Sequence, residues 1–273
     1  MQAERCLNWI EKATWPDAGV AAWVNFPLVK RGPPYPEVTG YLIPTLLRWN
    51  KDALAEQYAN WLVEVQDPVG FWCGIDEVPH NFDTAMCLQG LRCIPGSKKI
   101  RKAIERAEDC LARQVREDGA MAIGPGADFT DFYTVLASAY IGVRPTYWIE
   151  KLAGDEWPWS NPARMHYILY GLAGMINMRV NVDKWLKQIG QLPQPLKFWY
   201  EKDWGTHAID PRADLCANAQ AAILLKDRSY LAVVEAEQQL DGGILEAPGA
   251  TRCTSWTAKY YLDAMHLCMR GEM

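Results

Sequence analysis

The chain has 273 residues, of which 49% are hydrophobic and 22% charged, with a net charge of −5. That balance excludes a disordered tail protein and a broad cationic face for nucleic acid, and no nucleic-acid partner is expected. The N-terminal MQAERCLNWIEKATW lacks a basic stretch followed by an apolar one, and no apolar run approaches the roughly 18 residues of a spanning helix, so the expectation is a cytoplasmic protein without a membrane span. Eight cysteines, none in a CxxC pair, read as small buried hydrophobes rather than a disulfide framework. Thirteen tryptophans and twelve tyrosines against six phenylalanines suit a wet concave site that packs one ring face and hydrogen-bonds at an edge.

In chain order the sequence alternates between amphipathic helices and more uniformly apolar ones, joined by Gly/Pro/Asp-rich loops. The apolar kind begins six times: YPEVTGYLIPTLLRW at Tyr35, NFDTAMCLQGL at Asn81, TDFYTVLASAYIGV at Thr130, PARMHYILYGLAGMI at Pro162, ADLCANAQAAILL at Ala213 and TSWTAKYYLDAMHL at Thr254. Between them lie segments such as 51–66, 98–116 and 228–239, with charges at i, i+4 spacing. A helix apolar on nearly all sides has to be surrounded, and alternation of surrounded and half-exposed helices closes into two concentric rings. The prediction is an all-α fold, a single (α/α)6 toroid domain over 1–273. Strand signals are weak, since QDPVGFWCGIDEVPHN and EDGAMAIGPGADF are too irregular for sheets.

The run HNFDTAMCLQGLR at residues 80–92 carries a resemblance. It is similar to the D-x-D-D-T-A-M run of class II terpene cyclases, whose middle acid protonates an alkene. The whole chain resembles the terpene cyclase and prenyltransferase toroid superfamily. It is more closely similar to toroid proteins associated with bacterial surface-polysaccharide biosynthesis, through YPEVTGYLIPTLL, NFDTAM, RMHYILYGL, CANAQAAI and SWTAKYYLDA. Asp83 keeps register with the cyclase motif, but Phe82 stands at the acid position and His80 at the first Asp, which disfavours that chemistry. Protein prenyltransferases hold zinc with an Asp-x-Cys pair and a His from the next inner helix. Asp214-Leu215-Cys216 matches the pair, whereas Ser255-Trp256 occupies the histidine's place and His266 lies about three turns deeper. Two ligands leave zinc incomplete unless His166 or His207 adds a third, so no metal and no cofactor is expected.

If the mouths of the inner helices converge, one cavity gathers Glu37, Tyr41, Asp83, Asp131, Tyr133, His166, Tyr167, Asp214, Asn218, Trp256 and Lys259, with Arg164 and Trp204 at its rim. Acids, amides and aromatic platforms read sugars, so the expected partner is a carbohydrate, an acidic polysaccharide or oligosaccharide. Glu37, Tyr41, Asp83 and His166 are the candidate catalytic groups; Tyr133, Tyr167, Trp204, Asp214, Asn218, Trp256 and Lys259 are candidates for binding substrate. Glycoside hydrolysis would use Glu37 and Asp83 as its two carboxyls. Uronate β-elimination would use Asn218, His166 and Tyr41 or Tyr133, and C5 epimerization nearly the same set. Plainer roles stand beside these: Asp83 as a helix cap, Glu37 complementing a helix dipole, His166 as a hydrogen-bonded core residue, Lys259 pairing with a neighbouring acid. Two other functions fit the same residues, a cyclase-like enzyme with its acid relocated to Asp83 or Asp131, and a non-catalytic glycan-binding or scaffold protein of polysaccharide assembly.

Overall fold

The computed structural model describes residues 2–26, 30–154 and 157–273. Among them are twelve α-helices in alternation. The even-numbered ones form the inner ring: α2 (Pro36–Arg48), α4 (Asn81–Arg92), α6 (Thr134–Tyr140), α8 (Met165–Asn177), α10 (Leu215–Leu225) and α12 (Ser255–Met269). Each packs on the next, and α12 packs back on α2 to close the ring. Outside lie α1 (Gln2–Ala13), α3 (Asp52–Val65), α5 (Lys98–Ala112), α7 (Thr146–Ala153), α9 (Asp183–Gly190) and α11 (Leu231–Ala236). The six inner helices are those expected from the sequence, with one shift. The third starts only at Thr134, because Thr130 and Asp131 are spent on the turn before it, where Thr134 N–H donates to the Asp131 carbonyl (3.0 Å).

The division of labour follows from side chains. Along α4 ten of twelve residues are buried, whereas α5 buries one stripe of Ile100, Ala103, Ala107, Cys110 and Leu111. The inner helices approach closely where glycine permits it. A Cβ on Gly40 would sit 2.6 Å from the Cys87 Cα, and one on Gly90 would strike the Gly40 carbonyl. Any larger residue at either position would wedge α2 from α4.

Short strands appear where the sequence showed no strand pattern. β1 (Trp23–Asn25) pairs antiparallel with β2 (Lys30–Arg31) and with β5 (Arg252–Thr254), tying the start of the chain to the entry of α12. β3 (Ala163–Arg164) pairs with β4 (Trp199–Tyr200), and Arg164 faces Trp199 across that ribbon. These pairings are set by where loops meet rather than by alternation within a run. Their effect is positional: β3 and β5 run straight into α8 and α12, and Tyr35, His80, Arg164, Asp214 and Thr254 all enter their helices from extended backbone.

Below the helix entries the axis of the ring is filled. Tyr41, Tyr170 and Tyr260 meet with ring centroids 5.7–6.0 Å apart, and Phe82 packs 4.8 Å from Tyr170. The ring has a bowl at each end, with these aromatic rings between them. All eight cysteines are free, and five of them are buried. Among the described residues no helix is long and apolar enough to cross a membrane.

Candidate functional site

The bowl at the N-terminal ends of the inner helices is a cavity of about 260 Å³. Tyr35 and Glu37 reach it from the entry of α2, His80, Phe82 and Asp83 from α4, and Tyr133 from the turn before α6. Arg164, His166, Tyr167 and Tyr170 come from α8, and Trp256 from α12. Of the residues expected to converge, Glu37, Asp83, Tyr133, His166, Tyr167, Trp256 and the rim residue Arg164 line this one space.

Asp83 does not cap its helix. The cap position belongs to His80, whose ring Nε2 instead meets Asp76 (2.9 Å), and Asp83 is the third residue inside α4. Its carboxyl is 5% exposed and accepts a hydrogen bond from the Tyr35 hydroxyl (3.0 Å). Glu37, two residues beyond Tyr35, addresses the same hydroxyl. Both carboxyls thus lie beside one phenol, Asp83 buried and Glu37 half-buried. Burial pushes Glu37 up to about 7, against the pull of Tyr35 and of the more distant Lys259. Burial first, and repulsion from Glu37 second, push Asp83 well above the ordinary carboxylate range. Both carboxyls are thereby biased toward their protonated forms, Asp83 the more strongly.

The opposite wall holds a different device. His166 Nδ1 lies 2.9 Å from Asp214 Oδ2, with both residues buried. Burial and the nearby Arg164 pull the imidazole below its ordinary value, although Asp214 acts in the other direction. A neutral ring beside an acceptor-only carboxylate carries its proton on Nδ1, which leaves Nε2 as an acceptor. The second oxygen of Asp214 accepts from Ala217 N–H (2.9 Å) and caps α10.

Six expected members lie elsewhere. Tyr41 is 1% exposed, one turn beneath Glu37, in the aromatic floor. Asp214 is equally buried and stands behind His166, out of reach of a ligand. Asn218 is consumed by Leu196, accepting from its N–H (3.1 Å) and donating to its carbonyl (2.9 Å). Trp204 stacks in a cluster with Trp157 and Trp159, at 4.9 and 5.3 Å. Lys259 belongs to the far bowl, where its Nζ lies 3.1 Å from Asp263. Asp131 borders an adjoining cavity, its carboxyl turned onto the backbone N–H groups of Phe132 and Tyr133 while burial raises its pKa.

Tyr35 and Tyr170 are lining residues that sequence reasoning did not single out. The signal for Tyr35 was its place just before Pro36, since the residue that enters a helix projects from its mouth. Asp214 and Cys216 do not make a metal site with a histidine. Among the described residues no three His, Cys, Asp or Glu side chains come together to hold an ion, and Asp214 already serves His166 and a helix cap.

No protein-family model and no curated protein sequence matches the chain. Solved structures do. A novel alpha-amylase from Clostridium perfringens superposes with a TM-score of 0.71 at 14% identity, over 97% of both chains. A glycosidase gives 0.65 at 12% identity, over 98% of this chain and 96% of that one. The type II terpene cyclase MstE from Scytonema gives 0.62 at 14% identity, over 98% and 97%. The chain has the (α/α)6 toroid fold that these proteins share.

Proposed function

We propose that the chain, as a single toroid domain over residues 1–273, is a carbohydrate-active enzyme that hydrolyses glycosidic bonds in the bowl at the N-terminal ends of its inner helices. The observation that carries this reading is the Tyr35–Asp83 hydrogen bond with Glu37 beside it, two carboxyls held above the ordinary carboxylate range inside a belt of aromatic rings. Glycoside hydrolysis asks for one neutral and one ionised carboxyl on either side of an anomeric carbon. Asp83, deeper in the wall, holds its proton the more firmly and serves as the acid for the leaving oxygen. Glu37 loses its proton first. It then stabilises the positive charge growing at the anomeric carbon and takes a proton from the incoming water, whose hydroxide completes the cleaved sugar. His166 Nε2 accepts a hydrogen bond from a sugar hydroxyl, and Asp214 keeps that imidazole in the tautomer that can do so.

Trp256, Tyr133 and Tyr167 offer rings to the sugar; Tyr133 lies edge to face with Phe82 (5.2 Å) and Tyr167 with His166 (4.5 Å), and the two tyrosines meet tilted at 4.8 Å. Elimination by lyase chemistry is the weaker branch, because the amide assigned to neutralise a uronate, Asn218, is tied to Leu196. The amylase and glycosidase among the similar structures support the reading only through their fold.

One observation favours a cyclase instead. Asp83, protonated beside Phe82 and Tyr133, could deliver its proton to an alkene. Against it, about 260 Å³ lies below the roughly 300–1,000 Å³ usual for pockets that enclose a drug-sized ligand, which suits one sugar better than a folded polyprenyl chain.

The test is release of reducing ends from a panel of oligosaccharides, with polyprenyl substrates run in parallel. Wild type should cleave at least one glycan, and Glu37→Gln and Asp83→Asn should each lower the rate by about 10³-fold or more, the usual effect of losing an acid or base whose loss nothing else covers. Glycan binding without cleavage in wild type would point to a binding protein, and turnover of a polyprenyl substrate to a cyclase.

A further inference from the structure

A second cavity, of about 180 Å³, opens beside the first. The two share Arg164 and Tyr167, and the second continues past Asp131, Trp159 and Trp199. Two donors there have no hydrogen-bond partner: Arg164 Nε and Trp159 Nε1, both shut off from solvent. Trp159 as a whole is 8% exposed, so water does not replace a missing acceptor. Among the described residues Arg164 makes no ion pair with an acid, and its contacts are with rings, at 5.3 Å from Tyr167, 5.7 Å from Phe198 and 5.9 Å from Trp199. Asp131, the acid lining this cavity, forms no ion pair with the guanidinium.

An unpaired guanidinium held flat among aromatic rings, with a buried indole N–H beside it, is a receptor lacking its anion. A planar carboxylate satisfies the guanidinium fork and the indole together, while Trp199 and Tyr167 offer platforms for the ring that carries it. We propose that this cavity is a subsite for a uronate residue, adjoining the sugar that sits between Glu37 and Asp83. The proposal rests on the hydrolase reading above, and it names the substrate class as an acidic glycan whose carboxylate is read by Arg164 and Trp159. Because the subsite lies on the α6–α8 side of the bowl, it fixes the direction in which the glycan runs across the mouth.

The experiment uses the full chain carrying Glu37→Gln, so that binding is measured without cleavage. The probes are oligogalacturonate, alginate oligosaccharides and hyaluronan fragments, each beside its carboxyl-reduced counterpart, followed by calorimetry and tryptophan fluorescence. At least one acidic probe should bind about 10-fold or more tighter than its reduced form, the usual worth of a charge-assisted hydrogen bond. Adding Arg164→Gln should erase that preference, bringing the acidic probe to the affinity of its reduced form, and Trp159→Phe, which deletes only the N–H and some ring area, should weaken the acidic probe several-fold. Arg164→Lys keeps the charge without the fork and should recover part of the preference, which guards against reading a folding defect as lost recognition. Equal affinity for acidic and reduced probes, or a preference that survives Arg164→Gln, would overturn the subsite while leaving hydrolysis at Glu37 and Asp83 standing. A preference that depends on Arg164 in a wild-type protein that cleaves none of these probes would support the subsite and sink the hydrolase. If no probe of either kind binds, both fall.

Discussion

The two ends of the ring hold charge in opposite ways. At the C-terminal ends of the inner helices, Asp263 receives Arg48 (2.7 Å), Thr45 (2.8 Å) and Lys259 (3.1 Å), and Lys259 also lies 3.6 Å from the Tyr260 ring centroid. That bowl is larger, about 360 Å³, yet its buried lysine has a counter-charge and its buried acid has its donors. At the N-terminal ends the Tyr35 phenol answers Asp83 with Glu37 beside it, and among the described residues Arg164 pairs with no acid. Glu37 and Asp83 in first turns and Arg48 in a last turn suit the helix dipole, whereas Asp263 at the C-terminal end and Arg164 at the entry of α8 run against it, so the dipole does not explain the contrast. The difference lies in satisfaction. A cluster whose charges answer one another stabilises the ring, and a cluster left unanswered awaits a ligand.

The largest stability effect expected from this contrast is at the satisfied end. Asp263→Ala should cost about 2–4 kcal/mol in chemical denaturation, because it strands a buried lysine, and should leave turnover per folded molecule unchanged. A neutral substitution there would mean that the network is ornamental and that the comparison fails.

A smaller effect of opposite sign is expected at the other end. Glu37 has its pKa raised on folding to about 7, from an ordinary value near 4.5. Its ionisation therefore costs nothing below about pH 4.5, costs progressively more as pH rises through 7, and destabilises the fold fully above that. Glu37→Gln should match wild type in stability near pH 4.5 and exceed it at pH 8, by about 3 kcal/mol at most, while losing activity. His166 runs the other way: its pKa is depressed on folding, so its contribution is present above the ordinary imidazole range and lost as pH falls through the folded value. Denaturation curves for the Glu37→Gln and wild-type proteins that stay parallel from pH 4.5 to 8 would show that Glu37 is solvated and has no stored proton.

Much of the ring was legible in the sequence because surrounded helices need apolar residues on every face, and that pattern survives in runs such as NFDTAMCLQGL. The membership of the site was only partly legible, because it depends on depth as well as on face. Tyr41 shares a face with Glu37 at i+4, but that spacing also carries it a turn down the helix into the floor. Trp256, Lys259 and Asp263 form one stripe down α12, which begins in the upper bowl and ends in the lower one. Asn218 was lost to the site by a loop contact with Leu196, twenty-two residues away, that no helical pattern announces. Trp159 and Trp199 escaped notice because they stand in irregular segments, where periodicity has nothing to say.

The central claim is that the carboxyls flanking Tyr35 keep a proton at neutral pH. Carbon-detected NMR of protein labelled at Glu and Asp carboxyl carbons, titrated from pH 3 to 9 with Glu37→Gln and Asp83→Asn used for assignment, measures this directly. The account predicts that the Glu37 signal titrates near pH 7, that the Asp83 signal titrates well above the ordinary carboxylate range, and that removing Glu37 lowers the pKa of Asp83. Two carboxyls that both titrate near the ordinary value of about 4, independently of each other, would contradict it.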